Sequence, residues 1–178
     1  MGLMRDVNVP LARDARFDLH LRRMRRKLER LRRDDHSDSN VLAILAVEAF
    51  YRPRARRLVE YAAWLALSML GSRSAERITV GIAQVRLSHW RDLGLLDSER
   101  FSIDNLARVL DADSNYEACR RYMSVRNLLH ESDPATLTTA YTGAARPHYA
   151  AMLEQALITF AVEHPRSGRS QATGAPAS

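Results

Sequence analysis

Cysteine is nearly missing from this chain of 178 residues: Cys119 stands alone. That excludes an internal disulfide and a thiolate cluster around a metal. Lysine is almost absent too, since Lys27 is the only one among 27 basic residues. Seven glycines and six prolines are too few for a collagen-like or linker-rich chain, or for an architecture of many tight turns. No long apolar run occurs either. The longest, at 62–70, falls far short of the roughly 20 residues that span a bilayer. Residues 1–33 hold no apolar core such as a secretory signal needs, which predicts that the chain as written folds in the cytoplasm.

What remains is a chain that is 46% hydrophobic, enough to bury a core of its own. Its net charge is +6 and its pI about 10.1. Because that charge is arginine, with its rigid planar fork, the partners it suits are nucleic acid, an anionic membrane or an acidic polymer. Charge by itself does not choose among them.

Periodicity predicts an all-α fold of seven or eight short helices, with at most a minimal β element near 78–85. From Phe17 onward, apolar residues recur every three or four positions among charges, which reads as an amphipathic helix. Arg22, Arg23, Arg25, Arg26, Arg30 and Arg33 make its exposed side basic. This suggests an N-terminal arm over 1–37, a helical domain over 38–163 and a Ser/Gly/Ala-rich flexible tail over 164–178. Residues 41–51 form a helix with almost no polar face, so it is expected to be buried on most sides. Pro53 opens the next helix and Gly71 stops it. Its apolar face carries Leu58, Tyr61, Ala62, Leu65 and Met69. The β-branched, glycine-interrupted stretch 78–85 reads as a turn or short strand, and 88–93 as a short helix. Ser102 caps the helix after it, Ser114 and Glu117 have capping-box spacing for the one that follows, and Asp133-Pro134 and Pro147 open the last two.

Glu48 is the single charge within the buried helix at 41–51. An ionised carboxylate there must pair with a cation such as Arg52, accept several hydrogen bonds, or hold its proton at neutral pH. The last option makes a general acid. Three further segments follow in order: Gly81-Ile82-Ala83-Gln84 after Thr79, then Ala140-Tyr141-Thr142-Gly143, then Arg146-Pro147-His148-Tyr149 opening a helix.

Glu48 and these segments, spread over about 41–162, resemble the lysozyme-like superfamily, and especially lytic transglycosylases and goose-type lysozymes. The resemblance implies a lysozyme-like helical domain that cleaves the muramyl–glucosaminyl β-1,4 linkage of peptidoglycan glycan strands without a cofactor or metal, in the cell-wall compartment. It implies that Glu48 is the general acid, that Gly81, Ile82 and Gln84 line the sugar cleft, and that Tyr141 hydrogen-bonds Glu48. Trp90, close to the Gln84 turn, is the candidate for stacking on a sugar face, with Trp64 in the core. The chain departs from the family pattern at Ala49, where serine is common, and at Thr142, where asparagine is.

Ordinary glycosidases need a second carboxylate. Glu60, Asp92 and Asp97 are the candidates, and none has a distinctive setting. A single acid favours the transglycosylase reaction over hydrolysis. His89, His130 and His148 lack metal-ligand spacing, and Cys119, beside Arg120 and Arg121, reads as a small buried hydrophobe ahead of a partly activated thiol. Two other readings remain open: a non-catalytic lysozyme-like interaction protein, and a helical nucleic-acid-binding protein in which the basic arm tracks phosphates. The arm is read first as docking on an anionic wall or a protein partner, with nucleic acid second.

Overall fold

The computed structural model describes residues 15–33 and 37–161; the expected tail from 164 lies outside the described residues. Helix α2 (Ser37–Tyr51) is the axis of the fold. Its residues 41–47 are all buried, because α1 (Ala15–Leu28), α6 (Ala112–Val125) and α8 (Pro147–Phe160) pack around it. A helix without a polar face has no side to offer to water, so neighbours must cover it all round. Between these elements run α3 (Arg54–Met69), a short hairpin of β1 (Thr79–Val80) and β2 (Val85–Arg86), α4 (Leu87–Asp92), α5 (Ile103–Leu110) and α7 (Pro134–Thr142). The hairpin is antiparallel, with Thr79 opposite Arg86 and Val80 opposite Val85. The fold is thus all-α with a two-stranded β element, in agreement with the periodicity. No described helix is long and apolar enough to cross a membrane.

Most helix ends follow local chemistry. Ser102 accepts from the Asn105 amide, and Asp133 from those of Ala135 and Thr136, so each satisfies amide donors that have no partner within the helix. Gly143 closes α7 in the left-handed conformation. One cap differs from expectation. Helix α6 starts at Ala112 and is capped by Asp111, whose carboxylate accepts from the amide and hydroxyl of Ser114. Ser114 is therefore inside the first turn, not before it.

Two larger corrections concern which faces are buried. The basic N-terminal helix is not an arm apart from the body: Phe17, Leu21 and Leu28 are buried in the common core, and α1 packs on α2 and α8. Its apolar stripe is covered by α2 and α8. Arg22, Arg23, Arg25, Arg26, Arg30 and Arg33 do stay exposed. Arg33 alone leans back, on Glu117 at 3.3 Å and over the Tyr116 ring. In α3 the stripe of Leu58, Leu65 and Met69 points to solvent. The opposite side is the inner one, anchored by Trp64, whose indole donates to the Glu99 carbonyl at 2.7 Å and whose ring meets Phe101 edge-on.

Candidate active site

A cleft of about 420 Å³ opens where the C-terminal end of α2 meets the hairpin, α6 and the α7–α8 corner. Glu48 lies in its wall, 8% exposed. Its carboxylate accepts a hydrogen bond from the Tyr149 hydroxyl at 3.0 Å. Burial raises the Glu48 carboxyl above its ordinary value, and the neighbouring Glu60 adds to the rise. The Tyr149 hydrogen bond and the guanidinium groups of Arg52 and Arg146 oppose it. Its place in the last turn of α2, where the helix dipole is negative, also favours the protonated form. Among the described residues that line the cleft, Glu48 is the only carboxylate.

The salt bridge from Glu48 to Arg52 that the sequence left open is not formed. Arg52 turns to Glu60, with Arg56 behind it at 3.9 Å. Glu60 also accepts from the Gln84 amide at 3.2 Å, so it serves as an anchor for the hairpin and does not enter the cleft wall. The remaining candidates for a second carboxylate sit elsewhere: Asp92 pairs with Arg91 and Asp97 with Arg108, both at exposed positions.

The cleft brings Glu48, Gln84 and Tyr141 together and leaves out Gly81, Ile82 and Trp90. Each departure has a local cause. Trp90 is completely buried on the inner side of α4, so it offers no face to a sugar. Residues 81–83 of the turn face Asn115, not the cleft. Asn115 Oδ1 accepts from the amides of Ile82 at 2.7 Å and Ala83 at 3.3 Å, while its Nδ2 donates to the carbonyls of Val109 and Asp111, both at 2.7 Å. Gly81 has φ +75°, and a Cβ there would lie 2.1 Å from Asn115 Oδ1. The glycine is required by this plug, not by close approach to a ligand. Gln84 does line the cleft, but its side-chain amide is engaged: it donates to Gly81 O and Glu60 and accepts from Thr79.

Tyr141 also differs from expectation. Its hydroxyl donates to the Ala83 carbonyl at 2.5 Å and lies 3.7 Å from the Cys119 sulfur, so it ties α7 to the turn. The tyrosine that holds Glu48 is Tyr149, in the first turn of α8 and stacked on Tyr51 at 5.3 Å between ring centroids. The signal for it was present, because Tyr149 follows the Arg146-Pro147 helix start on the apolar stripe of α8. Cys119 is buried among apolar groups that push its thiol up to about 12, so it is inert as a nucleophile.

Most of what sequence reading missed is the charge of the cleft. Arg52, Arg56, Arg86, Arg126 and Arg146 line it, from four separate stretches of the chain, together with His89 and the rings of Tyr51 and Tyr122. Arg126 is held over the Tyr122 ring at 4.4 Å and donates to Ala140 O. The guanidinium groups of Arg86 and Arg146 have no hydrogen-bond or ion-pair partner among the described residues. Burial and the neighbouring Arg126 and Arg86 lower the His89 pKa against the upward pull of Asp92, and the net lowering favours the neutral imidazole. No group of metal-ligating side chains occurs among the described residues. Such a site can hold an anionic ligand on its arginines and present one shielded proton to it.

Comparison with known proteins places the chain beside none of them. No protein-family model matches it, and no curated protein or solved structure matches it. Function must be argued from the cleft itself.

Proposed function

We propose that the chain is a lysozyme-like enzyme that cleaves the muramyl–glucosaminyl linkage of peptidoglycan by lytic transglycosylation. One observation carries the reading: a buried glutamate, raised in pKa by desolvation, forms part of the wall of a cleft that offers no second carboxylate among the described residues. A general acid must hold its proton near the working pH, and burial is the ordinary means.

The steps balance without water. Glu48 gives its proton to the glycosidic oxygen, the C1–O bond breaks, and its electron pair leaves with the glucosaminyl O4. The carboxylate so formed faces the positive sugar ring and stabilises it. The muramyl C6 hydroxyl then attacks C1 and returns its proton to Glu48, closing a 1,6-anhydro ring. Tyr149 positions the carboxyl through both steps. A hydrolase would need a second carboxylate to activate water or form a covalent intermediate. The arginines suit the substrate, whose lactyl and peptide carboxylates are anionic; Arg86 and Arg146 are placed to receive them.

The exposed basic face of α1 supports a separate docking role, on an anionic wall polymer or an acidic protein surface, with nucleic acid as the rival partner. The test of the main reading is digestion of purified peptidoglycan followed by mass spectrometry of the soluble products. Anhydromuramyl ends that vanish with Glu48→Gln support it. Reducing ends would mean hydrolysis, and no release from several peptidoglycan types would overturn the enzymatic reading.

A further inference from the structure

Helix α3 shows water the side that an ordinary surface helix hides. Leu58 is 66% exposed, Val59 69%, Leu65 40%, Met69 79% and the capping Leu70 79%. At 100° per residue these positions fall on one arc, and Ala62, Ala63 and Ala66, also exposed, lie between them. From Leu58 to Leu70 the arc is about 18 Å long. An apolar surface of that extent on an otherwise charged molecule marks a contact site.

Charge decides the occupant. Arg54 and Arg56 stand at the two borders of the arc near its N-terminal end, and Arg73 and Arg77 follow its C-terminal end, all exposed. The only acidic residue of α3, Glu60, is turned inward against Arg52. A second copy of the chain would bring this surface against another that is equally apolar and cationic, and Glu60, the one carboxylate of α3, is already engaged by Arg52 and Arg56 of its own chain. Anionic lipid supplies both missing complements: acyl chains for the aliphatic arc and phosphate for its arginine borders. We propose that the outer face of α3 docks flat in the interface of an anionic bilayer. It lies on the membrane without crossing it. Because Arg56 also lines the cleft, docking sets the cleft mouth at the lipid surface.

Co-sedimentation of the full chain with vesicles of phosphatidylglycerol and phosphatidylcholine tests this, and it reads lipid binding independently of any glycan chemistry. The full chain is expected to sediment with the anionic vesicles and at least tenfold more weakly with phosphatidylcholine alone. Leu65→Glu combined with Met69→Glu, two exposed positions, is expected to weaken binding at least tenfold while leaving the circular dichroism and melting curve unchanged. Arg54→Gln is expected to weaken it less and to flatten its salt dependence. Unchanged binding by the double variant would assign the lipid contact to the basic face of α1 and overturn the proposal. A concentration-dependent dimer lost in the same variant would overturn it in favour of self-association, and failure of the full chain to sediment with anionic vesicles would overturn it outright.

Discussion

Replacing Tyr149 by phenylalanine removes one oxygen and, with it, the hydrogen bond to Glu48 at 3.0 Å. The ring stays, so its stacking on Tyr51 is kept. A hydrogen bond to a charged group is worth about 1.5–3 kcal/mol. The protonated acid also accepts from the phenol through its carbonyl oxygen, so only the difference between the two forms moves the pKa. The Glu48 pKa therefore rises, by less than the full worth of that bond. The direction follows from which form loses more, and the carboxylate does. Desolvation already raises the group and Tyr149 opposes it, so the variant moves Glu48 further from an ordinary glutamate.

The assay is a pH titration of the glutamate side-chain carbon by NMR, with Glu48→Gln assigning the signal. On the enzymatic reading, the alkaline limb of the rate profile moves up by the same amount, because the protonated acid persists to higher pH. Tyr141→Phe is the control: its hydroxyl is committed to Ala83 O, so it is expected to shift Glu48 far less. A Glu48 pKa that falls or stays in Tyr149→Phe, or one that moves more in Tyr141→Phe, refutes the assignment of Tyr149 as the partner.

Glu48→Gln has a stability signature with a definite sign. Burial raises the folded-state pKa above the ordinary value of 4.5, so the stability the group contributes is fully present below that value and is lost as pH rises through the folded pKa. The glutamine variant suffers no such loss, so urea denaturation across the acid and neutral range should show it gaining on the wild type with rising pH, then levelling off. Gly81→Ala combines a positive φ with a Cβ 2.1 Å from Asn115 Oδ1; a loss of at least about 2 kcal/mol is expected in the same assay, with strain of the left-handed conformation contributing about half. Arg86→Ala with Arg146→Ala removes two cations that hold no partner among the described residues. The melting temperature should stay, while KM for an acidic glycan rises about tenfold or more, the equivalent of one charge-assisted hydrogen bond.

What could be read from the sequence was what depends on one element at a time. The missing polar face of 41–47 announced a helix buried all round, and the charge stranded beside it announced Glu48. The partner of Glu48 could not be read in this way. Tyr141 and Tyr149 are both inward-facing, on adjacent helices, and the hydrogen bond spans 101 residues of sequence, so the docking of α8 on α2 decides between them. Trp90 misled for the same reason: nearness to Gln84 along the chain says nothing of which side of α4 the core covers. In α3 the apolar stripe was visible, but a stripe has two readings, covered or open. Trp64 on the opposite side made it the open one.

The same limit explains the arginines, and it bears on chemistry. The clustered cations of α1 drew attention because they are contiguous, whereas those of the cleft are scattered over positions 52 to 146 and become one field only on folding. That field acts against the burial of Glu48, since Arg52 and Arg146 pull its pKa down while desolvation pushes it up. An anion seated on Arg146 cancels part of the downward pull and displaces water from the cleft, and both changes move Glu48 toward its protonated form. The arginines thus do two jobs with one charge. They keep the glutamate closer to an ordinary acid while the cleft is open to water, and they leave it a better proton holder once an acidic ligand covers them.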